Sequence, residues 1–276
     1  MAVSLRPSTP LAASKMLSEG PVRDALCSLP DGADDSETLS PYFNDRPLAT
    51  LDVPDPGRFE AMAEGYADRE DAGRKLAGAL VKYQGRKDVV VFGLPRGGVP
   101  VAYEVARQLE APLDILVVRK IGVPGQPELA MGAVASGGVV IRNEEVIRAV
   151  RIRSNRFEAA VQAARDELTE REAALRGAEM SVNINGRTVI VVDDGMATGS
   201  TMRAAVEALR TMHPERIVVA VPVGAPEVVA QMGAIADDVV CLLIPRNLVA
   251  VGSWYRHFGQ TTENEVRRLL DASARP

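Results

Sequence analysis

The chain has 276 residues, 46% hydrophobic and 25% charged, the profile of an ordinary globular protein of one or two domains. Its formal net charge of −5 argues against a nucleic-acid-binding surface, and no apolar stretch approaches the roughly 20 residues of a membrane-spanning helix. Cys27 and Cys241 have no metal-ligand spacing and read as free thiols of a reducing compartment, so a cytoplasmic location is expected.

The first 60 residues hold 8 of the 18 prolines and 10 acids against 5 bases. Apart from a short helix near Val22 to Ser28 they lack periodicity. Residues 1–62 are therefore expected to be an irregular or disordered extension of a domain spanning residues 63–276. Only Arg6 and Lys15 precede the first acid, Glu19, too few bases for a targeting segment.

A helix is predicted over Ala67 to Tyr83, with Ala72, Leu76, Leu80 and Val81 on its apolar side. Asp88 to Phe92 then read as a central strand, followed by Gly93-Leu94-Pro95-Arg96-Gly97-Gly98 and a helix opening near Pro100. Paired glycines let a backbone approach an anion closely, and Arg96 can fork onto phosphate oxygens. Leu113 to Val118 form the next strand, ending at Arg119-Lys120. Ile121 to Leu129, punctuated by Gly122, Pro124, Gly125 and Pro127, is expected to be a loop. Met131 to Ala135 alternate as a strand, and Gly137-Gly138 read as a hairpin turn into Val139 to Arg142.

Asn143 is placed to cap a short helix, and Asn155 to Arg176 form a long charged one, whose polar positions suit a solvated face or a dimer contact. Strands are predicted at Val189 to Val192, Arg216 to Val223 and Asp238 to Ile244, with helices after Ser200, from Pro226, and over Glu263 to Asp271. The alternation of strands and helices predicts an α/β fold: a mostly parallel sheet flanked by helices.

The informative stretch is Val189-Ile-Val-Val-Asp-Asp-Gly-Met-Ala-Thr-Gly-Ser-Thr201. A β-branched strand buried on both faces runs out at Asp193 and Asp194, and Gly195, Met196, Ala197, Thr198, Gly199, Ser200 and Thr201 form a small-residue loop before a helix. Ser200 is suited to cap that helix. Backbone N–H groups and hydroxyls at such a joint suit a phosphate, and paired acids suit sugar hydroxyls or a hydrated metal. A Walker A loop would need a lysine and a dinucleotide fingerprint a different glycine spacing. An acid-tipped structural joint is the plainer alternative.

This stretch resembles the phosphoribosyl pyrophosphate (PRPP) signature of the type I phosphoribosyltransferases. The wider chain resembles a bacterial group of such domains, sharing Leu94-Pro-Arg-Gly-Gly-Val-Pro-Val-Ala102 and Glu128-Leu-Ala-Met-Gly-Ala133. The resemblance implies a mostly parallel five-stranded sheet flanked by helices with a small hood over the base, and a PRPP- and Mg²⁺-dependent glycosyltransferase of nucleotide metabolism, acting as a homodimer on a nitrogen acceptor such as a nucleobase. The 195–201 loop would grip the 5′-phosphate, Asp193 and Asp194 the ribose hydroxyls or the metal's water shell, and Arg96, Gly97 and Gly98 the pyrophosphate. Arg119 and Lys120, before the counterpart of the family's mobile catalytic loop, would join the pyrophosphate on closure. Otherwise they are a solvated strand end.

Trp254 and Tyr255 are candidates to stack on a base in the hood, or to anchor the C-terminal segment. His213 and His257 have no triad-like company. Purine enzymes of the family carry a lysine in the strand after the PRPP helix, and Val219-Ala-Val-Pro222 has none, which departs from a 6-oxopurine acceptor. A PRPP-sensing protein without turnover is the alternative function.

Overall fold

The computed structural model describes residues 65–176 and 182–274. The predicted extension 1–62, its short helix and Cys27 lie outside the described residues.

The central sheet has five parallel strands, β1 (Val89–Gly93), β2 (Leu113–Ile115), β6 (Thr188–Val192), β7 (Arg216–Val223) and β8 (Asp238–Leu243), in the order β2-β1-β6-β7-β8. All five residues of β6 are β-branched and all are buried, as a strand covered on both faces requires. Each Val or Ile so buried contributes about 1.5–3 kcal/mol relative to exposure. Side chains alternate between two cores. Val89, Val91, Ile190 and Val192 meet helices α1 (Arg69–Ala79) and α2 (Gly98–Leu109), whereas Val90, Phe92, Val189 and Val191 meet α5 (Ser200–Thr211) and α6 (Pro226–Gly233). After α1 a turn carries Val81 outward, where it is 60% exposed, rather than onto the predicted apolar side.

A separate antiparallel sheet corrects the reading of residues 113–129. The predicted strand stops at Ile115, and β3 (Val118–Val123) begins a second sheet with β4 (Gln126–Ala135) and β5 (Val139–Arg142). The predicted loop is a long hairpin with Pro124-Gly125 at its turn, Gly125 taking φ +83°. Register shifts at Gly122 absorb the irregularity that glycine and proline signal. Helices α3 (Glu144–Ala149, capped by Asn143), α4 (Ser154–Arg176) and α7 (Glu263–Ser273) follow this arm in the chain. Phe157, Val161 and Leu168 of α4 and Val266 of α7 share a core with Ile121, Met131 and Val134 of the arm.

Candidate functional site

The chain passes from β1 outward to β2, and from β6 in the opposite direction to β7. The sheet's topological switch point therefore lies between β1 and β6, where ligands of open α/β sheets bind beyond the strands' carboxyl ends. Two loops leave that point. Residues 94–98 follow β1, residues 193–199 follow β6, and Leu94 N–H donates to Val192 O at 2.9 Å to bind them together.

The glycines of the first loop allow this approach. A Cβ on Gly97 would overlap Asp194 Oδ2, and one on Gly98 would stand 2.7 Å from Val192 O and 2.8 Å from Asp193 Cα. The Pro95–Arg96 peptide bond is cis. Arg96 is exposed, forms no ion pair among the described residues, and lines a cleft of about 420 Å³ with Glu167, Glu170, Arg171 and Glu263.

Asp193 and Asp194, at the end of β6, meet this loop but differ in environment. Asp193 Oδ1 accepts the N–H of Asp194 at 2.9 Å. Burial, and then the charge of Asp194, hold the Asp193 carboxyl well above the usual range. Burial raises Asp194 as well, opposed by Arg69, whose Nε and Nη2 lie 2.9 and 2.8 Å from Asp194 Oδ2. Arg69 is a site residue that the sequence reading missed. Its one local signal is a cation in the first turn of a helix, where the helix dipole disfavours it.

The second loop narrows the expected set of phosphate donors. Met196 is buried and its N–H donates to Val223 O at 2.8 Å, so that group is committed to the sheet. The N–H groups of Ala197, Thr198, Gly199, Ser200 and Thr201 have no hydrogen-bond partner among the described residues. Gly195 packs under Val251, whose methyl carbon would stand 2.6 Å from a Cβ there. Ser200 does not cap α5. The cap is Gly199, at φ +65°, leaving the Ser200 hydroxyl 3.3 Å from Thr198 Oγ1. The loop is thus a cluster of unspent donors at a helix N-terminus, suited to a phosphate.

Arg119 and Lys120 part company. Because they lie within β3, they point to opposite sides. Lys120 Nζ donates to Ser200 Oγ at 2.7 Å, whereas Arg119 pairs with Glu167 of α4 at 2.5 Å. Tyr255 is buried, flanked by the rings of Tyr66 and Phe258 at 5.4 and 5.0 Å, and its hydroxyl donates to Asp194 O at 2.6 Å. It is an anchor in this structure, and of the two expected rings only Trp254 is partly exposed, while it too packs against the core. Among the described residues no cluster of three or more His, Cys, Asp or Glu could hold a metal, and no helix is long and apolar enough to cross a membrane.

The phosphoribosyl transferase domain family matches residues 64–251. A Mycobacterium tuberculosis protein whose name describes it as a phosphoribosyl transferase is 46% identical over 210 residues, 76% of this chain and 47% of that protein. The chain thus spans about half the length of that relative. The crystal structure of TT1426 from Thermus thermophilus is similar at 42% identity and a TM-score of 0.68, covering 76% of this chain and 99% of that one. The bifunctional protein PyrR of Bacillus pumilus is 31% identical over 134 residues, 47% of this chain and 54% of that protein.

Proposed function

The chain belongs to the phosphoribosyltransferase family, and from that premise we propose that it binds PRPP with Mg²⁺ and transfers the phosphoribosyl group to a nitrogen acceptor. The observation that carries this reading is the meeting of three unlike groups at one switch point. The acid pair after β6, the Arg96–Gly98 loop after β1 and the unpaired N–H groups before α5 suit a ribose, a diphosphate and a monophosphate respectively.

In this reading the N–H groups of Ala197 to Thr201 and the hydroxyls of Thr198, Ser200 and Thr201 hold the 5′-phosphate. Lys120 belongs with them rather than with the diphosphate, because its ammonium already donates to Ser200. Arg96 holds the diphosphate, and Gly97 and Gly98 let it approach the acid pair. Asp193 and Asp194 take the metal's water shell and the ribose hydroxyls. Arg119 is committed to Glu167, which lines the Arg96 cleft.

The donor set fits Mg²⁺. Each carboxylate has one oxygen in a protein contact, Asp193 Oδ1 and Asp194 Oδ2, while the other has no hydrogen-bond partner among the described residues. One or two carboxylates plus substrate phosphates are the usual Mg²⁺ environment, so Asp193 Oδ2 would serve the ion's water shell and leave Asp194 Oδ1 to the ribose. The ion would supply neutralisation of charge on the departing diphosphate. The reaction breaks the C1–O bond to pyrophosphate and forms a C1–N bond, with the acceptor nitrogen losing its proton. Positive charge develops at C1, so the protein's own contribution is to align acceptor and leaving group and to stabilise the latter. Among nitrogen acceptors a nucleobase is the class we favour, Trp254 being the candidate ring beside it.

Equilibrium binding tests the reading. PRPP with Mg²⁺ is expected to bind where NAD and ATP do not, and replacing both Asp193 and Asp194 with Asn is expected to abolish binding. Unchanged affinity in that variant would overturn the site assignment.

A further inference from the structure

Arg69 is held by a stiff support. Asp68 caps α1 by accepting the Asp71 N–H at 2.8 Å, Asp71 accepts the Ala67 N–H at 3.1 Å, and the Tyr66 hydroxyl donates to Pro222 O at 2.7 Å. From there the side chain, 12% exposed, reaches three groups. Nε and Nη2 converge on Asp194 Oδ2, Nη1 donates to Gly259 O at 2.7 Å, and the guanidinium carbon stands 3.8 Å from the centre of the Phe258 ring. Such a planar fork over an aromatic ring is a role for Arg rather than Lys.

The distribution of these contacts is uneven. Both donors take the same oxygen of Asp194, and Oδ1 has no hydrogen-bond partner among the described residues. The main chain of Asp194 is fixed too, its carbonyl accepting the Tyr255 hydroxyl. One carboxylate oxygen is thus anchored and its twin presented. Gly259 and Phe258 are tied to the same guanidinium, so the segment after β8 and the acid pair share one clamp.

We propose that Arg69 is a positioning residue that makes the site selective for the ribose-bearing ligand, by engaging Asp194 Oδ2 and presenting Oδ1 to the sugar hydroxyls. The inference rests on the PRPP reading above. It separates the contribution of Arg69 from that of the Arg96–Gly98 loop, which meets only the diphosphate. A merely structural clamp would instead affect every ligand of the site alike.

Calorimetric titration of the full chain with PRPP and with inorganic pyrophosphate, both with Mg²⁺, tests this. Arg69→Gln is expected to weaken PRPP at least tenfold and pyrophosphate less than twofold, Arg69→Lys to recover part of the PRPP loss, and Arg69→Gln to add nothing in an Asp194→Asn background. Equal weakening of both ligands, unchanged PRPP affinity, or full additivity with Asp194→Asn would overturn the inference alone. A wild-type chain that binds no PRPP would overturn the functional reading and this inference with it. Should Arg69→Gln fail to fold, Arg69→Lys carries the test: a threefold or greater loss confined to PRPP supports the assignment, and a loss shared with pyrophosphate or no loss overturns it.

Discussion

Gly97 lies against the side chain of Asp194, so close that an added Cβ would overlap Oδ2 and stand 2.8 Å from Cγ. The backbone of Gly97 is ordinary right-handed (φ −64°), so space and not conformation demands glycine here. Arg69 pins the same oxygen, which leaves the carboxylate little room to yield. Gly97→Ala is therefore expected to displace the 94–98 loop and weaken PRPP binding at least tenfold, about 1.4 kcal/mol. Titration calorimetry checks this, with a melting temperature close to wild type showing that the fold persists. Wild-type affinity would mean that the loop and the acids do not act as one site.

Lys120 and Arg119 are adjacent in sequence but face different partners. Lys120→Gln is expected to weaken ribose 5-phosphate binding about tenfold, an effect that shrinks as salt is raised. Arg119→Gln is expected to change it less than twofold. The reverse order of effects would contradict the assignment of Lys120 to the monophosphate loop.

The raised carboxyl of Asp193 has a consequence for the unliganded chain. A carboxyl held above its unfolded value, about 4, favours the folded state below that pH and loses this contribution as pH rises through the folded pKa. Its ionisation therefore destabilises the free protein at neutral and alkaline pH. Asp193→Asn is expected to melt higher than wild type at pH 8, with the gap closing towards pH 4. Every tenfold difference in proton affinity between the folded and unfolded chain is worth about 1.4 kcal/mol. A variant that melts lower than wild type at pH 8 would show that the ionised carboxylate is stabilised by contacts beyond those described.

The Tyr255 hydroxyl is the anchor between the C-terminal segment and the acid pair. Tyr255→Phe keeps the ring packing with Tyr66 and Phe258 and leaves the Asp194 carbonyl without this donor. A loss of about 1–3 kcal/mol in chemical denaturation is expected. No loss would make the ring, and not the hydroxyl, the anchor.

Much of this site was legible because its pieces are local. A β-branched run, two acids and Gly-x-x-Thr-Gly-Ser-Thr are contiguous, and the end of the strand run alone puts Asp193 and Asp194 at the sheet's carboxyl end. The hairpin was not legible. Gly122, Pro124, Gly125 and Pro127 read as a loop, yet Pro124-Gly125 makes a tight turn and a register shift accommodates Gly122. That one misreading also hid the divergence of Arg119 and Lys120, because alternation applies only once β3 is known to start at Val118. Arg69 lies 125 residues from Asp194, and no local pattern reports a partner that distant. The capping of α5 by Gly199 followed from the same limit: Val228, on another helix, leaves no room for a side chain there.

Phosphoribosyl transfer is proposed at the β1–β6 switch point. Its most direct test is release of pyrophosphate from PRPP with Mg²⁺, measured against a panel of purine, pyrimidine and other nitrogen acceptors. Release is predicted with at least one acceptor, and its loss when Asp193 and Asp194 are both replaced by Asn. Tight PRPP binding with no release against any acceptor would contradict a transferase and leave a PRPP-sensing protein in its place.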